Sequence, residues 1–227
     1  MQLRSAHVLV VGATGGLGGS LARALAAAGA KLSLSGRDPV RLAALAAELE
    51  PAVLGTTCVD LVQGDAPAQI VADAVSAAPL DAVVCAAGVV AFGSVEELDD
   101  DVFDELLLVN LIAPVRLLRA AAAVLPRGGV VVQLSAVVAE TPLPGMAAYA
   151  ASKAALTAFD RAAARELRRK GVRVLDVRPG HTETDLASHP IAGTAPKLGN
   201  GLAPKHVAER ILRAMSEDAG DLPSSEF

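Results

Sequence analysis

The stretch His7–Gly19, HVLVVGATGGLGG, decides how the chain reads. Val8 to Val11 are apolar without alternation, which suits a short strand buried on both faces. The run ends in a glycine-rich loop, and SLARALAAAG follows with the Ala/Leu character and length of a helix. A strand, a glycine turn and a helix start form the context in which backbone N–H groups face phosphate. Here Gly12 permits the tight turn, Gly16 lets a ligand approach the backbone and Gly18 allows close helix packing, with Thr14, Gly15 and Leu17 completing the surface. Glycine turns also serve flavin, nucleotide-sugar and S-adenosylmethionine binders, so the loop alone leaves the ligand open.

Outward from this unit the pattern repeats. KLSLS, AVLGTTCV, DAVVCAA, GGVVVQLS and VRVLDVRP read as five more strands. Between them lie helix-length segments at about 17–28, 39–49, 66–77, 99–125 and 148–170. A last helix is expected over about 204–216, and the residues after Gly220 form either a short seventh strand or a tail. Repeated βαβ units with right-handed crossovers give an α/β fold: a doubly wound, Rossmann-like parallel sheet of six or seven strands with helices on both faces in three layers. No linker or repeat divides the 227 residues, so residues 1–227 are expected to form one domain. Ligands of such a sheet bind beyond the carboxyl ends of its strands.

Composition narrows the partners. The chain is 52% apolar but only 2% aromatic, so its core is expected to be small and aliphatic. A net charge of -5 with mixed signs disfavours nucleic acid. The basic run Arg165–Lys170 precedes Gly171 and suits a helix C-terminus, while the acidic run Glu96–Glu105 suits a helix N-terminus. Cys58 and Cys85 lie in apolar runs and are expected to be buried core thiols. The start MQLRSAH carries no secretory pattern, and apolar stretches such as Leu117–Leu125 are short and broken by Arg119. The expectation is a soluble cytoplasmic protein without a membrane partner.

The second strand ends in Ser35, Gly36 and Arg37, where an acidic residue would select an unphosphorylated adenosine ribose. Arg37 offers a planar cation for a 2′-phosphate instead, which favours NADP(H) over NAD(H), although an ordinary surface arginine would read the same. Asp38 precedes Pro39 and reads as a helix N-cap. Asp60, after the third strand, either accepts from an adenine amino group or holds a turn.

The single tyrosine, Tyr149, stands four residues before Lys153 in YAASK, which puts both on one helix face. A phenol with a reference value near 10 needs a nearby ammonium to act near neutrality, and Lys153 supplies one. Tyr149 would then give a proton to a developing alkoxide, or accept one in reverse, while the nicotinamide carries the hydride. Ser135 closes the fifth strand at the ligand edge and is expected to hydrogen-bond the substrate oxygen, or else to cap the loop. Asn110 is a lone polar residue in an apolar helix.

These residues resemble the short-chain dehydrogenases/reductases, in their single-domain branch, over about residues 6–216. The likeness rests on Gly12, Gly16 and Gly18, Asp60, Ala87-Gly88, Asn110, Ser135, Tyr149 with Lys153, and Pro179-Gly180. It implies an oxidoreductase with Tyr149 as acid/base and Ser135 as the substrate-orienting hydroxyl. Lys153 would also bind the nicotinamide ribose, and the Asn110 backbone would hold a relay water. Asp60 and Leu61 would contact adenine, and Ala87 and Gly88 would lie near the adenosine-side ribose. Pro179, Gly180 and Thr182 would belong to the cofactor site, and Thr184 would contact the nicotinamide carboxamide. A homodimer or homotetramer through the helices near 99–125 and 148–170 is implied as well.

The chain departs from the family at Cys85-Ala86, where two amide side chains are usual, and GATGGLG also fits the longer branch through Gly12, Gly15 and Gly18. The region 185–203 looks short, which suggests a reduced lid and an open site. Val137, Val138, Leu143, Pro144 and Met146 are expected to line an apolar pocket for a small carbonyl or alcohol substrate. His181, in a loop, is read as a pocket-edge residue. A non-catalytic NADP(H)-binding sensor on the same fold and an S-adenosylmethionine-dependent methyltransferase are the alternatives, and the latter leaves Ser135, Tyr149 and Lys153 without a role.

Overall fold

The computed structural model describes residues 1–217 and 219–227. Strands β1 (His7–Val11), β2 (Lys31–Gly36), β3 (Val53–Cys58), β4 (Ala82–Cys85), β5 (Val130–Leu134), β6 (Arg173–Val177) and β7 (Asp221–Leu222) form one sheet, ordered β3-β2-β1-β4-β5-β6-β7. Every neighbouring pair is parallel. This is the expected doubly wound, Rossmann-like sheet, and the residues after Gly220 do supply a seventh strand.

The two-residue period of the strands divides the core between two layers. On one face Val8, Val10, Leu32, Leu34, Val130 and Val132 pack against Leu21 and Leu25 of α1 (Gly16–Ala27), Leu42 and Leu45 of α2 (Pro39–Glu48), and Val207 and Ile211 of α7 (Pro204–Ser216). On the other, Leu9, Val11, Val83, Val131 and Val174 meet Ile70 of α3 (Ala66–Ala77), Leu117 and Ala121 of α5 (Ala113–Val124), and Ala163 of α6 (Ala147–Leu167). A third cluster, at the carboxyl edge of the sheet, gathers Val90, Phe92, Leu106, Val138, Met146 and Tyr149.

Local signals end the elements where the sequence places them. Asp38 caps α2, accepting at 3.0 Å from both Val40 N and Arg41 N, worth about 1 kcal/mol for such a cap. Asp99 caps α4 (Asp100–Leu107), and Asp100 and Asp101 fill its first turn, so the acidic run complements a helix start. The basic run closes α6 ahead of Gly171, which adopts φ +72°.

Three expectations need correction. Cys58 is exposed rather than buried, because β3 is an edge strand whose residues alternate between half-buried and exposed. The segment at 99–125 contains a wide turn, Leu108–Ile112, between α4 and α5. That turn keeps the two helices continuous, so Asp100–Val124 is one helix of 25 residues, long and apolar enough to cross a membrane by length and composition, with a mean hydropathy of 1.7 over an 18-residue stretch of it. Reading Leu117–Leu125 by itself missed this. One face of the helix supplies core residues Leu106, Leu117, Leu118 and Ala121.

Candidate active site

The strand order reverses direction between β1 and β4, which opens a crevice at their carboxyl ends. The glycine loop lines it. Gly12 has φ +78°, and a Cβ there would lie 2.6 Å from Ala87 N, so only glycine lets the loop press against the chain leaving β4. A Cβ on Gly18 would lie 2.1 Å from Gly12 O, which explains why α1 starts so close to the turn. Gly15 occupies the N-cap of α1 with no side-chain cap and no acidic residue in the first turn. The first N–H groups of the helix therefore have no anionic partner from the helix itself, the condition for holding a phosphate.

The remaining cofactor candidates surround this loop. Thr14 packs against Gly36 at the end of β2. Arg37 follows, exposed and without a carboxylate partner among the described residues. Thr184 lies over the start of α1, since a Cβ on Gly16 would meet its Cβ at 2.8 Å. Asp60 holds its own turn by accepting from Val62 N at 3.2 Å, and Leu61 is buried beside it. Thr182 donates to Gly180 O at 3.0 Å, and Pro179 O accepts from Val137 N, which ties the loop after β6 to the loop after β5. Gly88 borders the side chains of Asn110 and Lys153. Glycines that a Cβ would crowd, an uncapped helix start and an unpaired guanidinium together fit a dinucleotide carrying an extra phosphate.

Tyr149 and Lys153 share one face of α6, 7% and 4% exposed. Lys153 Nζ lies 6.0 Å from the Tyr149 ring centroid and donates to Leu134 O at 2.8 Å. Burial pushes the phenol up to about 12. It brings Lys153 down to about 8, against the pull of Cys85, Asp176 and Asp160. The expected lowering of the phenol by the ammonium is not seen at this separation: burial alone sets the direction of its shift. Asn110 is fully buried in the wide turn, its Oδ1 accepting from Val89 N and its Nδ2 donating to Val89 O and Ser152 Oγ. It fastens the exit of β4 to the helix that backs Lys153.

Ser135 is the main correction. Its hydroxyl is 5% exposed, donates to Asp176 Oδ1 at 2.6 Å and accepts from Thr157 Oγ1 at 3.1 Å. It belongs to an interior network and is not free to orient a substrate. Ala136, the next residue, packs in the cluster that holds Tyr149. The strand period put Ser135 at the correct edge but not on the correct face. Adjacent charged residues in the apolar run VRVLDVRP are the signal for that network: Arg178, 1% exposed, donates to Asp176, Glu140 and both oxygens of Asp221.

The substrate side is also more closed than its length suggests. Ile191 N donates to Val90 O and Phe92 N to Ala192 O, and Ala187, Ile191, Ala192 and Ala195 pack against the Tyr149 cluster. Of the expected pocket residues, Val138 and Met146 join that cluster, whereas Leu143 is 46% exposed. A narrow cleft of about 60 Å³ lies at the start of α6, lined by Phe92, Val95, Leu98, Val102 and Ala148 among others. His181 approaches Glu183 at 3.8 Å, away from the tyrosine cluster, as befits a loop residue.

Comparison with known proteins agrees with this geometry. The family model "short chain dehydrogenase" matches residues 6–192. Dehydrogenase/reductase SDR family member 7B of Bos taurus is 31% identical over 97% of this chain and 73% of its own length. A short chain dehydrogenase from Burkholderia cenocepacia J2315, solved in complex with NADP, superposes with a TM-score of 0.88 at 28% identity, covering 99% of this chain and 97% of that one. A blue fluorescent protein from a metagenomic library, in complex with NADPH, gives 0.87 at 26% identity, covering 99% and 97%.

Proposed function

Because this chain belongs to the short chain dehydrogenase family, we propose that it is an NADP(H)-dependent oxidoreductase acting on a carbonyl/alcohol pair with Tyr149 as the proton carrier. The observation that carries the proposal is the buried pair of Tyr149 and Lys153 on one face of α6, at the carboxyl edge of β5. When bound, the nicotinamide supplies the hydride. The uncapped start of α1 would bind the pyrophosphate and Arg37 the 2′-phosphate; two solved structures similar to this chain are complexes with NADP and NADPH.

Tyr149, its phenol pushed up by burial, carries a proton that it donates to the substrate oxygen in the reducing direction and regains in the reverse. Lys153 binds the ribose and offsets charge left on the phenol, and the backbone of the Asn110 turn holds a relay water. Segment 185–203 keeps bulk water off the tyrosine. The apolar cluster around Tyr149 favours a small, uncharged substrate. The helix faces of α4, α5 and α6 join copies into a dimer or tetramer.

NADPH is expected to raise the unfolding temperature more than NADH, since binding stabilises by mass action. An NADPH-oxidation screen over aldehydes, ketones, quinones and ketoacyl thioesters then tests turnover. Tyr149→Phe is expected to lose about 100-fold or more, and full activity in that variant would refute the mechanism. A cofactor-binding sensor is the second reading, favoured by the inward hydroxyl of Ser135, which leaves Ala136 at the tyrosine cluster. NADPH binding without turnover across the screen would select it.

A further inference from the structure

Asp160 continues the face of α6 that carries the acid/base pair. Tyr149, Lys153, Thr157 and Asp160 are spaced by four, four and three residues, which aligns them along the helix. Beneath this face the sheet presents a polar row: Cys85 of β4 is in register with Gln133 of β5, and Gln133 with Asp176 of β6. Asp160 is 1% exposed, and neither of its carboxylate oxygens has a hydrogen-bond partner among the described residues. Gln133 Oε1, fully buried, has none either, although its Nε2 donates to Pro114 O. A buried carboxylate without donors is costly and is not there for packing alone.

We propose that Asp160 is a positioning residue for the acid/base pair: a carboxyl that is neutral at low pH and whose ionisation holds the proton on Lys153 as the pH rises. The assignment rests on the role proposed for Tyr149 and Lys153. The groups facing Asp160 are Lys153 on its own helix, Asp176 on β6 with Arg178 behind it, and Cys85 on β4. Burial, reinforced by Asp176 and opposed by Lys153, pushes the Asp160 carboxyl up to about 8. Lys153 is brought to about the same value by burial. Two groups that meet at one pH titrate as a pair. An ionised Asp160 is one of the groups that pull the Lys153 proton back against burial, so the ammonium is held to a higher pH than it would be without that carboxyl.

The chain has five lysines, so the Lys153 side-chain amine can be followed by NMR in lysine-labelled full-length protein, with Lys153→Arg to assign it. Asp160→Asn is expected to lower the Lys153 titration midpoint by about one pH unit. Asp160→Ser, equally uncharged but smaller, is expected to do the same, and Asp160→Glu to restore the midpoint. A carboxyl infrared band that disappears between about pH 7 and about pH 9 in the native protein should be missing from Asp160→Asn. An unmoved Lys153 midpoint in both uncharged variants would overturn the proposal. Neither measurement needs a substrate, so failure here is separate from failure of the proposed reaction, which the Tyr149→Phe screen reads.

Discussion

At the scale of single residues, the fifth strand shows how one position changes a role. Ser135 and Ala136 are neighbours whose side chains leave the strand on opposite sides, and the hydroxyl falls on the inner one. Ser135→Ala is therefore expected to act on stability, because Asp176 Oδ1 loses a buried donor, at about 1–3 kcal/mol. Urea titration would measure it, with NADPH affinity unchanged as the companion expectation. A loss of turnover with stability intact would return Ser135 to the substrate. The tyrosine and lysine were legible because helical spacing alone relates them. Asp160, Asp176 and Arg178 were not, since their meeting depends on how α6 lies across β4, β5 and β6. Nor could spacing show that burial pushes the phenol up; that needs the packing around α6.

At the scale of elements, strands read from apolar runs and helix ends read from Asp38, the acidic run Glu96–Glu105 and Gly171 all stand, because each rests on chemistry within a few residues. The wide turn at Leu108–Ile112 has no such signal: an added residue in a helix changes no residue type. It turns Asn110 inward, toward Val89 and Ser152, within a helix that leaves Ile112 38% exposed and Val124 44% exposed. If copies associate through this helix, Ile112→Asp should shift the protein to a smaller species in sedimentation experiments, because a charge would be desolvated in the contact. An unchanged species would place the contact elsewhere.

At the scale of the whole molecule, Arg178 joins three distant parts of the chain: Asp176 on β6, Glu140 after β5 and Asp221 on β7. Ser224 also donates to Glu140, from both its N–H and its hydroxyl. The hydrogen bond from Arg178 holds the Asp221 carboxyl below its ordinary value of 3.8, with burial opposing and the positive charge assisting. A carboxyl lowered on folding stabilises above its unfolded value, and that contribution fades as the pH falls through the folded one. The β6–β7 pairing should accordingly loosen below about pH 4. Hydrogen exchange at Arg178 N–H, which donates to Leu222 O, would report it, and Asp221→Asn should remove the pH dependence.

The packing of α1 on α7 has a consequence for the newborn chain. Leu21 and Leu25 share one core cluster with Val207 and Ile211, residues synthesised some hundred and eighty positions later. The glycine loop thus leaves the ribosome well ahead of α7, and the helix beneath it lacks that apolar cover until α7 has followed. For that interval Leu21 and Leu25 present bare hydrocarbon, the kind of surface that holdase chaperones grip. Truncated translation products ending before Pro204 should therefore be retained by such chaperones, whereas those extending past Ser216 should be released.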